Sequence, residues 1–106
     1  MATKYYFGLV QGRHQIPTDR YIFEEIKNVL DFEGMEETCY QKFRAEFNAG
    51  DEEIEIYVYV TGLTAATIAA INAISIMKKE DNRAYTLILF HFDRERGDYL
   101  PQLVKL

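Results

Sequence analysis

Cys39 is the only cysteine in the chain. One thiol cannot form an internal disulfide, and it excludes every metal motif built from several cysteines. That usage fits a reducing, cytoplasmic setting. Tryptophan is absent, and there are two prolines and two histidines. Two histidines with distant carboxylates make no zinc spacing, so neither a metal site nor a cofactor is expected. The six glycines form neither a Walker loop nor a dinucleotide fingerprint, and no Gly-x-Ser-x-Gly elbow occurs. No apolar run approaches ~20 residues. The opening MATKYYFGLVQGRHQ has no charged segment followed by a long apolar one. Neither a membrane span nor a signal peptide is therefore expected. Basic residues are the minority, 12 against 17 acidic, for a net charge of -5. Such a surface repels a phosphate backbone, which argues against duplex nucleic acid as a partner. A compact anion stays possible, because a pocket's local field can oppose the net charge.

What the chain does have is apolar and aromatic. Hydrophobic residues make up 48% of 106 positions, with eight Tyr and seven Phe, enough for one core in a single domain, 1–106. Residues 4–10 read as a strand. Pro17 and Thr18 then open a helix, Thr18 as N-cap, with Ile22, Phe23, Ile26, Val29 and Leu30 on one face. Gly34 breaks it. A second amphipathic helix carries Cys39, Tyr40, Phe43 and Phe47 on one side and ends at 48–50, "NAG". "IEIYVYV" (54–60) is nearly all apolar, as in a strand buried on both faces. An alanine-rich helix follows from Thr64 to about Lys79, close-packed on the sheet. "YTLILFHF" (85–92) is another buried strand, "DRERGDY" a turn, and "YLPQLVKL" a final strand returning antiparallel. Pro101 puts that last strand at an edge. The order is strand, two helices, strand, helix, strand, strand. It predicts an α/β fold: a small three-layer Rossmann-like domain, mostly parallel, with a C-terminal antiparallel edge hairpin.

In open parallel sheets ligands collect beyond the C-terminal ends of the strands. Those ends carry Gln11-Gly12-Arg13-His14, Thr61-Gly62-Leu63-Thr64 and His91-Phe92-Asp93-Arg94. "VTGLTAA" runs a strand through a glycine into a helix N-terminus, where backbone N–H groups and the helix dipole favour an anion. The plain alternative is a tight turn with Thr64 as cap. Arg13 suits phosphate oxygens, and His14 suits proton transfer near neutral pH. Their plain alternatives are a surface ion pair and a polar loop residue. Alternation sets His91 on the sheet face opposite Phe90 and Phe92, where a hydrogen-bonded core histidine competes with a ligand-binding one. "DRERGDY" reads as a solvated hairpin tip or as a source of Arg94 or Arg96 for an anion pocket. Glu24-Glu25 and Glu36-Glu37 read as exposed helix faces, and Cys39 as core.

The stretches "FGLVQGRHQIP", "IYVYVTGLTAATIAAINA" and "YTLILFHFDRERGDY" resemble small CRISPR-associated Rossmann-like proteins related to CARF domains. Those proteins bind cyclic oligoadenylate messengers, and some cleave the ring. The layout is also similar to that of phage proteins that sequester nucleotide messengers. The resemblance implies a pocket for a cyclic nucleotide lined by Gln11, Gly12, Arg13, His14, Thr61, Gly62, Leu63 and Thr64; the reading of the third strand end adds His91 and Arg94 to the ligand-binding set. The resemblance further implies metal-independent phosphodiester cleavage assisted by Arg13 and His14, and a cytoplasmic homodimer serving antiviral defence or its counter-measure. Two other classes compete. A protein-interaction module, an inhibitor or adaptor, would act through an acidic, tyrosine-rich surface. A conventional Rossmann enzyme would need the glycine fingerprint that is absent.

Overall fold

In the computed structural model, which describes residues 2–12 and 16–106, the first strand is β1, Thr3–Val10. Its odd positions Tyr5, Phe7 and Leu9 are buried, as period-2 alternation requires. Elements β2 (Tyr21–Phe23), α1 (Phe32–Glu46), β3 (Glu53–Tyr59), α2 (Thr64–Glu80), β4 (Ala84–Asp93) and β5 (Asp98–Val104) follow. The sheet order is β2-β1-β3-β4-β5. All neighbouring pairs are parallel except β4 with β5. The α/β class, the mostly parallel sheet and the antiparallel edge hairpin are therefore as the sequence predicts. Pro101 lies on the edge strand, paired with Phe90.

The segment from Thr18 to Leu30 is not a helix. Its apolar spacing suits one, but only Ile22 and Phe23 are buried, while Val29 and Leu30 are exposed. The outer edge of β1 explains the outcome. Gly8 N donates to Arg20 O and Gln11 N donates to Phe23 O, so the segment satisfies a row of backbone groups that a helix would leave open. Thr18 caps nothing: its hydroxyl donates to Tyr6 O and accepts from Arg20 N. Gly34 breaks no helix either. It lies in the first turn of α1, where Asp31 Oδ1 caps its N–H at 3.0 Å. A Cβ on Gly34 would overlap the Asp31 carboxylate, so the glycine admits the cap.

The layering differs from expectation for the same reason. Chain order β2–α1–β3 and β3–α2–β4 steps the same way across the sheet. Right-handed crossovers then put both helices on one face. They pack there over Phe7, Leu9, Ile54, Ile56, Val58 and Leu87. Four alanines of α2, Ala66, Ala69, Ala70 and Ala73, are buried and bring that helix close to the sheet. Phe43 of α1 and Phe47, the residue that caps its C-terminus, stack on each other and meet Phe7 edge-on. Cys39 is buried in this core, which pushes its thiol up to about 12. The reading of Cys39 as core is correct.

The second sheet face carries no helix among the described residues. Ile16 and Tyr21 cover it at Gly8, where a Cβ would collide with both side chains. Across the rest runs a line of rings. Tyr6 stacks on Tyr57 at 4.6 Å, Tyr57 on Phe90 at 5.6 Å and Phe90 on Tyr59 at 4.9 Å. Tyr99 then meets Tyr59 edge-on at 4.8 Å and Phe92 at 5.2 Å.

Candidate functional site

The C-terminal ends of β3 and β4 diverge around a cleft of about 510 Å³, lined by Val60, Thr61, Gly62, His91, Phe92, Arg94 and Tyr99. It lies where an open parallel sheet collects ligands. Four sequence-predicted residues, Thr61, Gly62, His91 and Arg94, come together there. Leu63 and Thr64 follow directly, at the start of α2. Gln11 and Gly12 are exposed at the end of β1 and do not line this cleft. Arg13 and His14 lie outside the described residues.

Each of the four has a different part. Thr61 Oγ1 donates to Val10 O at 2.8 Å and accepts from Val10 N at 3.2 Å. The β1–β3 ladder ends at Gly8 and Tyr59, and this hydroxyl substitutes for its next rung. Thr61 therefore positions the cleft wall, and its hydroxyl is spent on β1. Gly62 has φ +90° with no atom within 4 Å of a built Cβ. That φ turns the chain from strand into helix and is costly for any residue with a side chain. It also leaves the backbone open to the cleft.

Thr64 is not the cap of α2. Leu63 is, in extended conformation, and no side chain caps this helix. The first backbone bonds go from Ala66 N and Thr67 N to Leu63 O. The N–H groups of Thr64 and Ala65 have no partner among the described residues. The positive end of the α2 dipole is thus uncompensated beside Gly62.

His91 lies opposite Phe90 and Phe92, as alternation predicts, and it is exposed rather than in the core. Its Nε2 is 2.7 Å from Gln102 Oε1 of β5, which holds the ring at the cleft's edge. Arg94 opens the β4–β5 turn, which closes through Gly97 N to Asp93 O and Glu95 N to Asp93 Oδ1. Arg96 leans on Asp98 at 3.7 Å. Arg94 has no ion-pair partner among the described residues. The "DRERGDY" segment is therefore a solvated hairpin tip that also lends Arg94 to the cleft.

Sequence reasoning missed Phe92 and Tyr99 as site residues. Both lie on the aromatic face at its upper end, paired across the hairpin. Tyr99 is the harder to find, because its place depends on the β4–β5 register. The signal for it was the short turn after "LFHF", which returns the next aromatic beside Phe92. Burial, and then the neighbouring Tyr21, raise the Tyr99 phenol above its usual range; burial, then Tyr6 and Tyr99, does the same to Tyr59. These phenols therefore stay neutral donors at physiological pH.

Chemically, the cleft offers an aromatic wall, one cation, one imidazole and the open Gly62 backbone, two residues before the start of α2. Among the described residues no group of three or more His, Cys, Asp or Glu could hold a metal ion, and no helix is long and apolar enough to cross a membrane. No protein-family model, no curated protein and no solved structure matches this chain.

Proposed function

We propose that this chain binds a nucleotide-type anion, a cyclic nucleotide messenger of the cyclic oligoadenylate kind, in the cleft beyond β3 and β4. One observation carries the reading: a single cleft joins ring surfaces, Phe92 and Tyr99, to an anion-facing side made of Arg94 and the Gly62 backbone, which leads directly into the uncapped start of α2. A base stacks on rings of either kind for about 1–3 kcal/mol. A phosphate placed on Gly62 gains charge-assisted bonds from the open N–H groups and from Arg94. The acidic net charge works against long nucleic acids and leaves a short ligand as the better match.

Ring opening would need no metal. A ribose 2′-oxygen bonds to the adjacent phosphorus, the 5′-oxygen leaves and takes up a proton, and a 2′,3′-cyclic phosphate remains. Positioning and charge stabilisation supply most of the acceleration in such a step. Arg13 would stabilise the phosphate and His14 would move the proton. His91 is the described imidazole nearest that role.

The test is calorimetric titration against cyclic di-, tri-, tetra- and hexanucleotides, with wild type, Arg94→Ala and Arg13→Ala. Tight binding of one of them, weakened about tenfold or more in Arg94→Ala, supports the reading. No heat with any of them, or binding indifferent to Arg94, overturns it.

A second reading, a protein-interaction module, draws on the line of rings across the uncovered sheet face. Under it, substitutions at Tyr6 or Tyr57 abolish function and Arg94→Ala does not.

A further inference from the structure

Helix α2 has the composition of a buried helix and the position of an outer one. From Thr64 to Met77 it carries no charged residue, and a helix that is apolar all round is normally covered all round. Its inner side meets that demand with four buried alanines, Ile74 and Met77. Its outer side does not. Ala65, Ile68, Asn72 and Ile76 follow at spacings of three and four, one ridge along a helix, and Ile68 is 52% exposed. Across the α1–α2 seam stands Phe32, 58% exposed. Single exposed apolar side chains need no account, but these share one groove. Its first half is a hollow of about 340 Å³, with Ala65 and Ala69 between Phe32 and Ile68, and Glu36 and Asn72 beside them. Its second half, about 540 Å³, is lined by Ile76, Tyr40 and four carboxylates, Glu33, Glu36, Glu37 and Glu80. Glu36 belongs to both halves, so the two adjoin.

We infer that this groove seats a basic amphipathic helix of a partner protein, its apolar face on Ile68 and Ile76 and its lysines or arginines against the α1 carboxylates. Charge selects this occupant. No Lys, Arg or His lines either half of the groove. Elsewhere carboxylates are matched: Glu46, Asp81 and Asp98 each face an arginine. Of the four in the groove only Glu80 does, through Arg44. Glu33, Glu36 and Glu37 have no cationic partner among the described residues. Glu33 lies in the first turn of α1, where the helix dipole favours it. Glu36 and Glu37 lie beyond that turn. The groups that bond to them are neutral: Asn72 Nδ2 donates to Glu36 at 3.3 Å, and Gln41 Nε2 to Glu37 at 2.8 Å. Those bonds hold the carboxylates in place and leave their charge unmatched. Surface ion pairs alone are weak. Apolar burial on Ile68 and Ile76 therefore supplies the affinity, and the carboxylates the choice of partner.

The same wall turns away other occupants. Phosphate, whether in nucleic acid or in anionic lipid, is repelled by it. A second copy laid on the groove brings the same carboxylates with it. Shape selects a helix over an extended segment. Two helices offer no free backbone edge, so an extended chain laid on them leaves its own N–H and C=O groups unpaired. A helix satisfies its own and packs its ridges into the groove. From Ala65 to Glu80 the groove runs about 22 Å, or about four helical turns. The mode is a helix in a groove, anchored by apolar side chains one and two turns apart. The groove shares no lining residue with the cleft beyond β3 and β4, so the inference does not rest on nucleotide binding, and it lies on the helix side of the sheet rather than on the line of rings.

Fluorescence anisotropy of labelled peptides of about 15 residues, matched to the groove, tests this on the whole chain. The first peptide is an amphipathic helix with leucines on one face and lysines flanking them. The second has glutamate for every lysine, and the third serine for every leucine. The first should bind at least tenfold more tightly than either of the others, and more weakly as salt rises. Ile68→Ser, and separately Glu36→Gln combined with Glu37→Gln, should each weaken it about tenfold or more. All three side chains lie at the surface, so circular dichroism and melting should stay unchanged. Equal binding of the leucine-free peptide reduces the effect to net charge and overturns the inference. So does no binding of the first peptide up to millimolar concentration, or binding indifferent to both sets of substitutions. Sedimentation of the protein alone, and flotation with vesicles of anionic lipid, cover the other occupants. A dimer that Ile68→Ser dissociates, or lipid binding that it abolishes, also overturns the inference. Because no nucleotide is present, every outcome leaves the cleft reading to its own titration.

Discussion

The two ends of the sheet use the same residue types in opposite ways. At the N-terminal end, polar groups are used up on one another. Arg44 sets both guanidinium nitrogens on Asp81, at 2.8 and 3.2 Å, and also reaches Glu80. Arg83 bridges Asp81 and the Asn48 carbonyl, and the Tyr85 hydroxyl donates to Asp81. Tyr5 joins Asp51 and Asn48 in the neighbouring turn. At the C-terminal end, Arg94 and the α2 N-terminus have no such partners among the described residues, and Gly62 turns the chain at φ +90° with its backbone open to the cleft. Saturated polar groups hold a fold together, and unsaturated ones beside rings are what a ligand uses. The contrast also explains why the shifted carboxyls lie far from the cleft. The Arg44 hydrogen bond, and then those of Tyr85 and Arg83, hold the Asp81 carboxyl well below the usual range.

Breaking the saturated end should have the largest effect. Asp81→Ala strands Arg44, Arg83 and the Tyr85 hydroxyl together, and should cost about 3 kcal/mol in urea unfolding. Arg94→Ala at the other end should change the same measurement by less than about 0.5 kcal/mol.

The same carboxylate gives a pH signature. Its folded value is depressed, so its contribution to stability is complete above the unfolded value of about 3.9 and is lost as pH falls from there toward the folded one. Wild-type stability should therefore drop on acidification through that window. Asp81→Asn should start less stable near neutral pH and show a flatter acid limb in denaturant midpoints.

A third test sharpens the contrast between binding and folding. Phe92→Ala should weaken the nucleotide that the panel identifies by about 1–3 kcal/mol, the worth of one stacked base. Its melting temperature should move little, since the ring is 53% exposed.

The smallest expected effect compares two glycines. Gly62→Ala meets no atom but must hold φ +90°, and should cost about 1–2 kcal/mol by thermal unfolding. Gly12→Ala meets only the Val10 carbonyl at 4.0 Å and should lie within about 0.5 kcal/mol of wild type.

Much of this was legible in the chain itself. Strands β3 and β4 and helix α2 are read within a residue or so of their observed bounds, because alternation, alanine spacing and flanking turns all agree there. The cluster at the strand ends was legible for a topological reason: a parallel sheet brings its C-terminal ends together whatever the details. The helix expected from Thr18 failed because the spacing of Ile22, Phe23, Ile26, Val29 and Leu30 is a local signal. The bare edge of β1, which pulls Tyr21–Phe23 into the sheet, is a distant one. Gly34 was misread likewise, since its role depends on Asp31 folding back onto it.

By itself the sequence determined the class: an acidic, single-core α/β chain with its unusual residues at strand ends. Those are matters of composition and period, and every residue carries its own share of that information. Only the tertiary structure decided that both helices take one face, that Tyr6, Tyr57 and Phe90 line the other, and that Arg94 and Tyr99 line one cleft with Gly62. Crossover handedness and strand register fix such pairings, and both depend on contacts between residues far apart in the chain.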